Sequence, residues 1–394
     1  MKEQEYFENI CCEVEKTNER AYIPMSPDIV QTSSFYYENY EDFMAASDDE
    51  KNHYVYTRGT NPTTENLEQK LARLEGGEKC KVFASGMGAI AATFFTLLKQ
   101  GNHVLMANTI YGEAVALVRY MEKFGVTVDR VDVSETAELK SFITPATKMI
   151  YFESPSSQKF ELLDLAEITA LAKENNIYTV IDGTWAGPLL QKPLAYDIDL
   201  VILSLSKYIG GHSDIVGGAV IGSNQLVDDI FEHGHQSLGA VSSPFNSWLA
   251  IRGLRTLPVR MSHLSNAITT LLDELVKDPR IAKIYHPHCG SDQQKQLAKK
   301  YLSGYGSLFA IDLVDLDFEK LKIFVNHLNI MSIGVSWGGF ESLVLPAYKG
   351  NNEQQLKDRG LPISHIRMYL GLEDPQSILE DIKQALDIAY GPLS

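Results

Sequence analysis

Lys207 stands in the run Ser204-Leu205-Ser206-Lys207-Tyr208-Ile209-Gly210-Gly211-His212-Ser213-Asp214, directly after the apolar stretch Asp199-Leu200-Val201-Ile202-Leu203. That stretch reads as a buried strand, so the lysine sits at a strand end among hydroxyl groups and glycines. A desolvated lysine gives up its proton more easily, and the free amine can form a Schiff base with an aldehyde. Upstream, the β-branched run Ile177-Tyr178-Thr179-Val180-Ile181 ends in Asp182-Gly183-Thr184-Trp185. A carboxylate at a strand end can hold a protonated ring nitrogen; equally, Asp-Gly can open a plain turn. A third run, Lys81-Val82-Phe83-Ala84, reads as a strand leading into Ser85-Gly86-Met87-Gly88-Ala89-Ile90-Ala91-Ala92, a glycine turn that opens a helix. Free N–H groups and the dipole at such a helix start bind a phosphate.

An amine, a carboxylate and a phosphate cradle, each at a strand end, are the parts needed to use pyridoxal 5′-phosphate (PLP). The carboxylate keeps the pyridinium protonated, which makes the ring an electron sink for a Cα carbanion. Two rival readings share some of these letters. Gly86-x-Gly88-x-x-Ala91 matches a dinucleotide fingerprint, but such a site wants an acid about 20 residues on, and His103-Val104-Leu105-Met106-Ala107-Asn108 offers none. Ser204-x-x-Lys207 matches a serine-hydrolase motif, but the chain has no Ser-Asp-Asn or Lys-Thr-Gly partner element.

Further landmarks run in order along almost the whole chain: Tyr56-Thr57-Arg58-Gly59-Thr60-Asn61-Pro62-Thr63, Asn108-Thr109-Ile110-Tyr111-Gly112, Glu153-Ser154-Pro155, Arg252-Gly253-Leu254-Arg255-Thr256-Leu257, Ser336-Trp337-Gly338-Gly339-Phe340-Glu341-Ser342-Leu343 and Ile366-Arg367-Met368-Tyr369-Leu370-Gly371-Leu372-Glu373. With the runs around Ser85, Asp182 and Lys207, this ordered set resembles the Cys/Met-metabolism (trans-sulfuration) family of PLP enzymes. Ser-Trp-Gly-Gly and Asp-x-Thr-Trp look most like its bacterial cystathionine β-lyase branch.

The resemblance implies a role for each position. Lys207 corresponds to the Schiff-base lysine that also shuttles the Cα proton, and Asp182 to the pyridinium partner. Tyr111 corresponds to the tyrosine stacked on the cofactor ring, whose hydroxyl can take part in proton transfer. Ser85, Gly86 and Met87 form the phosphate turn, with Ser204 and Ser206 where family hydroxyls reach the same phosphate. Arg367 corresponds to the clamp on the substrate α-carboxylate, with Ser336 beside it. Tyr56 and Arg58 correspond to a pair that reaches the cofactor phosphate of the neighbouring subunit. A homodimer at least is implied, and a homotetramer is expected because the family commonly pairs dimers.

The chain departs from the family pattern at two places. Ser157 stands where many relatives carry an Asn that contacts the cofactor, and Gly183 stands where most carry Asn. Ser157 occurs in some β-lyases and weakens a γ-lyase reading. Glu113 falls where relatives vary with substrate; it could receive a distal ammonium such as that of cystathionine, or be a solvated helix-start acid. The implied reaction is α,β-elimination on cystathionine or a cysteine-type amino acid, giving a thiol, pyruvate and ammonia. The alternative is a γ-eliminating or γ-replacing relative of the cystathionine γ-lyase, methionine γ-lyase or cystathionine γ-synthase type. A binding module that kept only the fold would be expected to lose the Lys, the Asp or the Arg, and all three are present.

Composition agrees with a globular enzyme. The chain has 394 residues, 44% of them hydrophobic, and a formal net charge of −16. That charge argues against a nucleic-acid face, which needs clustered Lys and Arg. No apolar run approaches the length of a membrane span, and the acidic Met1–Glu8 stretch lacks a signal-peptide core. Cys11, Cys12, Cys80 and Cys289 make no metal-site spacing and read as reduced thiols of a cytoplasmic protein. His233-x-His235 and His286-Pro287-His288 have no third ligand in register and read as packing or surface residues, so no metal is expected.

The elements that position these groups fall into three stretches. Residues 1–60 show little periodicity and read as an extended N-terminal arm. Residues 61–245 alternate strands and helices: Thr147–Phe152 reads as a strand, and Leu163, Ala166, Ala170 and Leu171 belong to a helix after it. This predicts an α/β fold with a mostly parallel sheet, the fold-type I arrangement of the family, and a ligand site at the carboxyl ends of the strands. Residues 246–394 read as a smaller C-terminal α/β domain, with helical stripes at Leu321, Phe324, Val325, Leu328 and at Ile378, Ile382, Leu386, Ala389. The polar stretch Lys349–Gln355 reads as a loop or flexible cover.

Overall fold

The computed structural model describes residues 6–14, 23–133, 135–315 and 317–393. Met1–Glu5 of the acidic N-terminal stretch lie outside the described residues.

The chain builds two sheets. The first is seven-stranded: β1 (Lys79–Phe83), β2 (His103–Ala107), β3 (Thr127–Val131), β4 (Thr147–Glu153), β5 (Tyr178–Asp182), β6 (Leu200–Ser204) and β7 (Gly218–Gly222), in the order β1-β7-β6-β5-β4-β2-β3. Strands β6, β5, β4, β2 and β3 pair in parallel. β7 runs antiparallel between β1 and β6, so β1 points the same way as the parallel set. The central strands are largely buried: β2, HVLMA, throughout, and β4, TKMIYFE, at every position but Lys148. Strands covered on both faces read as nearly continuous apolar runs.

One face of this sheet packs against a core that includes Phe83, Phe94, Val104, Met149 and Ile202. The other packs against a core with Leu67, Leu105, Ile150, Trp185 and Val201. Alternate residues of each strand therefore serve opposite layers. The helix Pro62–Glu75 is bounded by local chemistry: Asn61 caps it, proline takes the first turn, and Gly76 at φ 76 ends it.

The second sheet has five strands: β8 (Ile281–Tyr285), β9 (Leu308–Leu313), β10 (Ser332–Ile333), β11 (Leu343–Pro346) and β12 (His365–Tyr369), in the order β10-β11-β12-β9-β8. All pairs but β10–β11 are antiparallel. The helix Leu257–Leu275 runs from one core to the other. Its Leu257, Met261 and Leu264 join the first sheet, and its Ile268, Leu271, Leu272 and Leu275 join the second.

The structure differs from the sequence expectation in five places. Leu328 lies beyond its helix, Phe318–Asn326, though it still packs on the second core. The N-terminal stretch is not wholly extended: Phe7–Cys12 and Tyr40–Asp48 are helical, the latter capped by the Asn39 side chain. Leu163 precedes its helix, Leu165–Asn175, because Asp164 caps it. The buried face of that helix is Leu165, Ile168, Thr169, Leu171 and Ala172, with Ala166 and Ala170 exposed. The polar 349–355 stretch ends in a short helix, Glu353–Lys357, which buries Leu356. No helix of the described residues is long and apolar enough to cross a membrane.

Candidate active site

Ser85, Tyr111, Glu153, Asp182 and Lys207 all lie at or just after the carboxyl ends of strands that point the same way. The turn after β1 is made by Ser85, whose hydroxyl accepts from the Gly88 N–H at 2.9 Å and caps the helix Gly86–Leu97. Such a cap contributes about 1 kcal/mol. It leaves the N–H groups of Gly86 and Met87 without an acceptor among the described residues. Gly218 lets this turn settle on β7, since a Cβ there would lie 2.3 Å from the Ser85 carbonyl oxygen. Ser204 closes the other side: a Cβ at Gly86 would stand 3.5 Å from the Ser204 hydroxyl. Ser206 is less available than expected, because its hydroxyl accepts from the Gly217 N–H at 3.1 Å and lies 3.4 Å from the Gly217 carbonyl.

Asp182 ends β5 and is held by Thr184. One carboxylate oxygen accepts from the Thr184 N–H at 3.0 Å and from its hydroxyl at 2.5 Å. The same hydroxyl accepts from the Ser204 N–H at 2.9 Å, so Thr184 ties the acid on β5 to β6. Burial pushes the Asp182 carboxyl upward; the Thr184 bonds and the charge of Lys207 oppose it. Gly183 turns away toward the core, where a Cβ would sit 3.2 Å from Val201 Cγ1.

In register with Asp182 on the neighbouring strand is Glu153. Its carboxyl accepts from the Tyr111 N–H at 2.6 Å and from the Ser157 hydroxyl at 2.5 Å. Ser157 is further held through its N–H to the Thr109 carbonyl at 2.9 Å, and its carbonyl accepts from the Thr109 hydroxyl. Tyr111 opens the helix Gly112–Met121 with its side chain half exposed. Burial raises its phenol, as do Glu113 and Asp182, against the pull of Arg367.

Lys207 follows β6. Burial first, and the Arg367 guanidinium second, pull its amine down to about 8; Asp182 pulls the other way. Its Nζ donates to the Ser336 hydroxyl and stands 5.5 Å from the centre of the Trp337 ring. Trp337 meets Tyr208 edge to face, ring centres 5.3 Å apart. The segment carrying Ser336 and Trp337 presses directly on the lysine backbone, since a Cβ at Gly338, φ 91, would stand 2.8 Å from Lys207 Cα. Ser336 itself is held at φ 76, a left-handed conformation that costs a non-glycine residue roughly 1–3 kcal/mol and clusters at ligand sites.

Arg367 lies in β12, half-buried, and donates to the Ser336 carbonyl at 3.2 Å. No carboxylate of the described residues pairs with it. A half-buried guanidinium with open donors suits a carboxylate from outside the chain.

Three expected contributors do not join this cluster within the chain. Tyr56 and Arg58 are exposed; Arg58 donates to Gln236 at 3.1 Å and lies over its own Tyr56 ring at 5.3 Å. Glu113 is exposed in the first turn of its helix.

Sequence reasoning gave no role to Thr184, Glu153, Trp337 or Arg260. The first three lay inside quoted landmarks, and their positions beside Asp182 and Lys207 were the available signal. Arg260 gave none. It is buried, and its guanidinium donates to the Tyr208 carbonyl at 2.8 Å and the Gly253 carbonyl at 2.9 Å, which clamps the Lys207 turn.

Comparison with known proteins gives a consistent picture. The profile of the family described as Cys/Met metabolism PLP-dependent enzyme matches residues 9–387. The chain is 38% identical over 367 residues to L-methionine gamma-lyase of Pseudomonas deceptionensis, covering 91% of this chain and 92% of that one. It is 36% identical over 340 residues to cystathionine beta-lyase of Lactococcus lactis subsp. cremoris, covering 85% and 88%. Its fold matches the crystal structure of cystathionine gamma synthase from Xanthomonas oryzae pv. oryzae with a TM-score of 0.90, at 28% identity over 98% of this chain and 99% of that one. PLP, the cofactor of this family, is compatible with what the site offers: unbonded N–H groups at a helix start, a buried acid and a desolvated amine. The chain belongs to the Cys/Met metabolism family of PLP-dependent enzymes, a family of fold-type I lyases and their relatives.

Proposed function

We propose that the chain is a carbon-sulfur lyase that performs α,β-elimination on cystathionine or a cysteine-type amino acid, releasing a thiol, pyruvate and ammonia. The observation that carries this reading is the bridge at Ser336. Its hydroxyl accepts from the Lys207 amine while its carbonyl accepts from the Arg367 guanidinium. A base and a carboxylate clamp so joined face one small amino acid from two sides.

In this reading the Gly86 and Met87 N–H groups and the Ser204 hydroxyl hold the cofactor phosphate, with Ser85 shaping the turn and Ser206 bracing it from Gly217. Asp182 holds the ring nitrogen and Tyr111 covers the ring face, excluding water. When bound, PLP stores the electron pair left on Cα after deprotonation. Arg367 grips the α-carboxylate, and Ser336 keeps the clamp beside the base. Lys207, with its amine lowered toward 8, takes the Cα proton near neutral pH without a strong external base. Loss of that proton is followed by departure from Cβ of the thiolate, which takes up a proton, and water hydrolyses the remaining three-carbon enamine to pyruvate and ammonia. Tyr111 is placed to move a proton at the substrate. Tyr56 and Arg58, turned outward, serve the phosphate site of a second copy, which makes the chain a homodimer at least and a homotetramer if dimers pair.

The γ-type reaction is the second reading, favoured by the methionine gamma-lyases among the relatives. It needs Lys207 to take a second proton, from Cβ. Ser157 in place of Asn, with its hydroxyl committed to Glu153, supports the β-reading. Product analysis with cystathionine separates them. Pyruvate with homocysteine is expected; 2-oxobutyrate with cysteine would replace the β-reading by the γ-reading.

A further inference from the structure

Glu153 has no part in the reaction above, yet it is the most enclosed acid of the site. It ends β4 directly opposite Asp182 at the end of β5. Residues paired across parallel strands project to the same face, so two carboxyls share one buried corner. Two adjacent carboxyls withdrawn from water do not both ionise readily, and one holds a proton.

The surroundings decide which. Asp182 has the Thr184 N–H and hydroxyl and feels the Lys207 charge, all of which favour the anion. Glu153 has the Tyr111 N–H and the Ser157 hydroxyl, but burial and the charge of Asp182 outweigh them and push it up to about 8. The other titratable groups facing this corner are the buried Tyr151 phenol from β4 and the Tyr111 phenol. Lys207 and Arg367 act one step further out, on Asp182 and Tyr111.

We propose that Glu153 is a positioning residue: it carries the proton of the Glu153–Asp182 pair, leaving Asp182 charged, and its carboxyl anchors the backbone of Tyr111 and the hydroxyl of Ser157. This rests on the reading of Asp182 and Tyr111 as cofactor contacts. The anchor works through geometry, because the accepted N–H belongs to the residue whose ring would cover the cofactor. The proton works through charge, because it removes the like-charge neighbour that would otherwise drive Asp182 neutral.

The test compares holoenzyme carrying Glu153→Gln, Glu153→Ala or no substitution. A proton bound more tightly when folded adds stability that is fully present below the ordinary carboxyl range and is lost as pH rises toward the folded value. The amide of Glu153→Gln has no such proton. Its Tm is therefore expected to climb relative to wild type between about pH 5 and pH 8 and to level off above. A Tm difference that stays constant across that window overturns the protonated state. On kcat/KM, Glu153→Ala is expected to lose about 30-fold or more, and Glu153→Gln to recover at least about tenfold of that loss by accepting the Tyr111 N–H. Equal losses in the two variants overturn the anchor. The Tm comparison needs no turnover. Wild-type protein that carries no PLP would therefore refute the functional reading, while the state of Glu153 would still be measured.

Discussion

Two turns in this molecule carry a cation proposed to serve one cofactor, and they are built in opposite ways. The Lys207 turn is packed by several neighbours: Ser336 and Trp337 lie beside the amine, Gly338 presses on the backbone, and Arg260 clamps the carbonyl of Tyr208. The Tyr56–Gly59 turn is braced along its backbone, by the Gly59 N–H to the Tyr56 carbonyl, the Thr57 N–H to the Ser33 carbonyl and the buried Lys81 amine to the Gly59 carbonyl. Its Arg58 is exposed, bonded to Gln236 and set over its own tyrosine ring. A closed turn perturbs its lysine toward reactivity. An open turn leaves its arginine exposed and available to another molecule. The difference suggests a catalytic group made within one chain and a binding group offered to the next.

The largest expected effect tests the closed turn. Lys207→Ala should reduce kcat by about 10⁴-fold or more, because the base is gone. Borohydride treatment of the wild-type holoenzyme followed by peptide mapping should place the pyridoxyl group on Lys207; finding it on another lysine would remove the assignment. Arg367→Ala should lower kcat/KM for every amino-acid substrate by about 10²-fold, since losing one partner of a desolvated charged pair costs ~2–5 kcal/mol. Substrates unaffected by this change would show that the carboxylate is held elsewhere.

The open turn is tested by mixing. Arg58→Ala and Lys207→Ala chains, each impaired alone, should regain roughly a quarter of wild-type activity after random subunit exchange, because half the dimers are hybrids with one intact site. No recovery after verified exchange would mean that Arg58 acts in its own chain or not at all. In pH profiles, kcat should rise as the Lys207 amine released by the substrate loses its proton toward pH 8, because only the free amine accepts the Cα proton. A rate already flat from pH 6 would contradict a base in that range. The smallest effect is expected at Glu113. Exposed ion pairs contribute about 0.2–1 kcal/mol, so Glu113→Gln should cost cystathionine at most about fivefold and leave cysteine unchanged. Equal losses on both would return Glu113 to a solvated helix-start acid.

Much of the frame was legible along the chain. Lys81–Ala84, Thr147–Phe152 and the runs before Asp182 and Lys207 read as strands because a strand buried on both faces needs an unbroken apolar run. The stripe from Ile378 to Leu386 read as a helix because one face meets a core, and it lies in the helix Pro375–Tyr390. The helices Phe7–Cys12 and Tyr40–Asp48 were missed, because short, largely exposed helices leave little periodicity. Arg260 was missed because its use depends on a turn fifty residues away in sequence; nothing around it signals a clamp.

The sequence by itself determined the family and the chemical inventory: an amine, an acid and a glycine turn, each after an apolar run, in an order that repeats through one kind of enzyme. Only the tertiary structure decided how these groups affect each other. Parallel register set Glu153 against Asp182, the second sheet brought Ser336 and Arg367 to Lys207, and the fold left Arg58 outside. Periodicity and motif are local properties of a chain. Desolvation and the field of a neighbouring charge depend on distances across strands that no run of residues encodes alone.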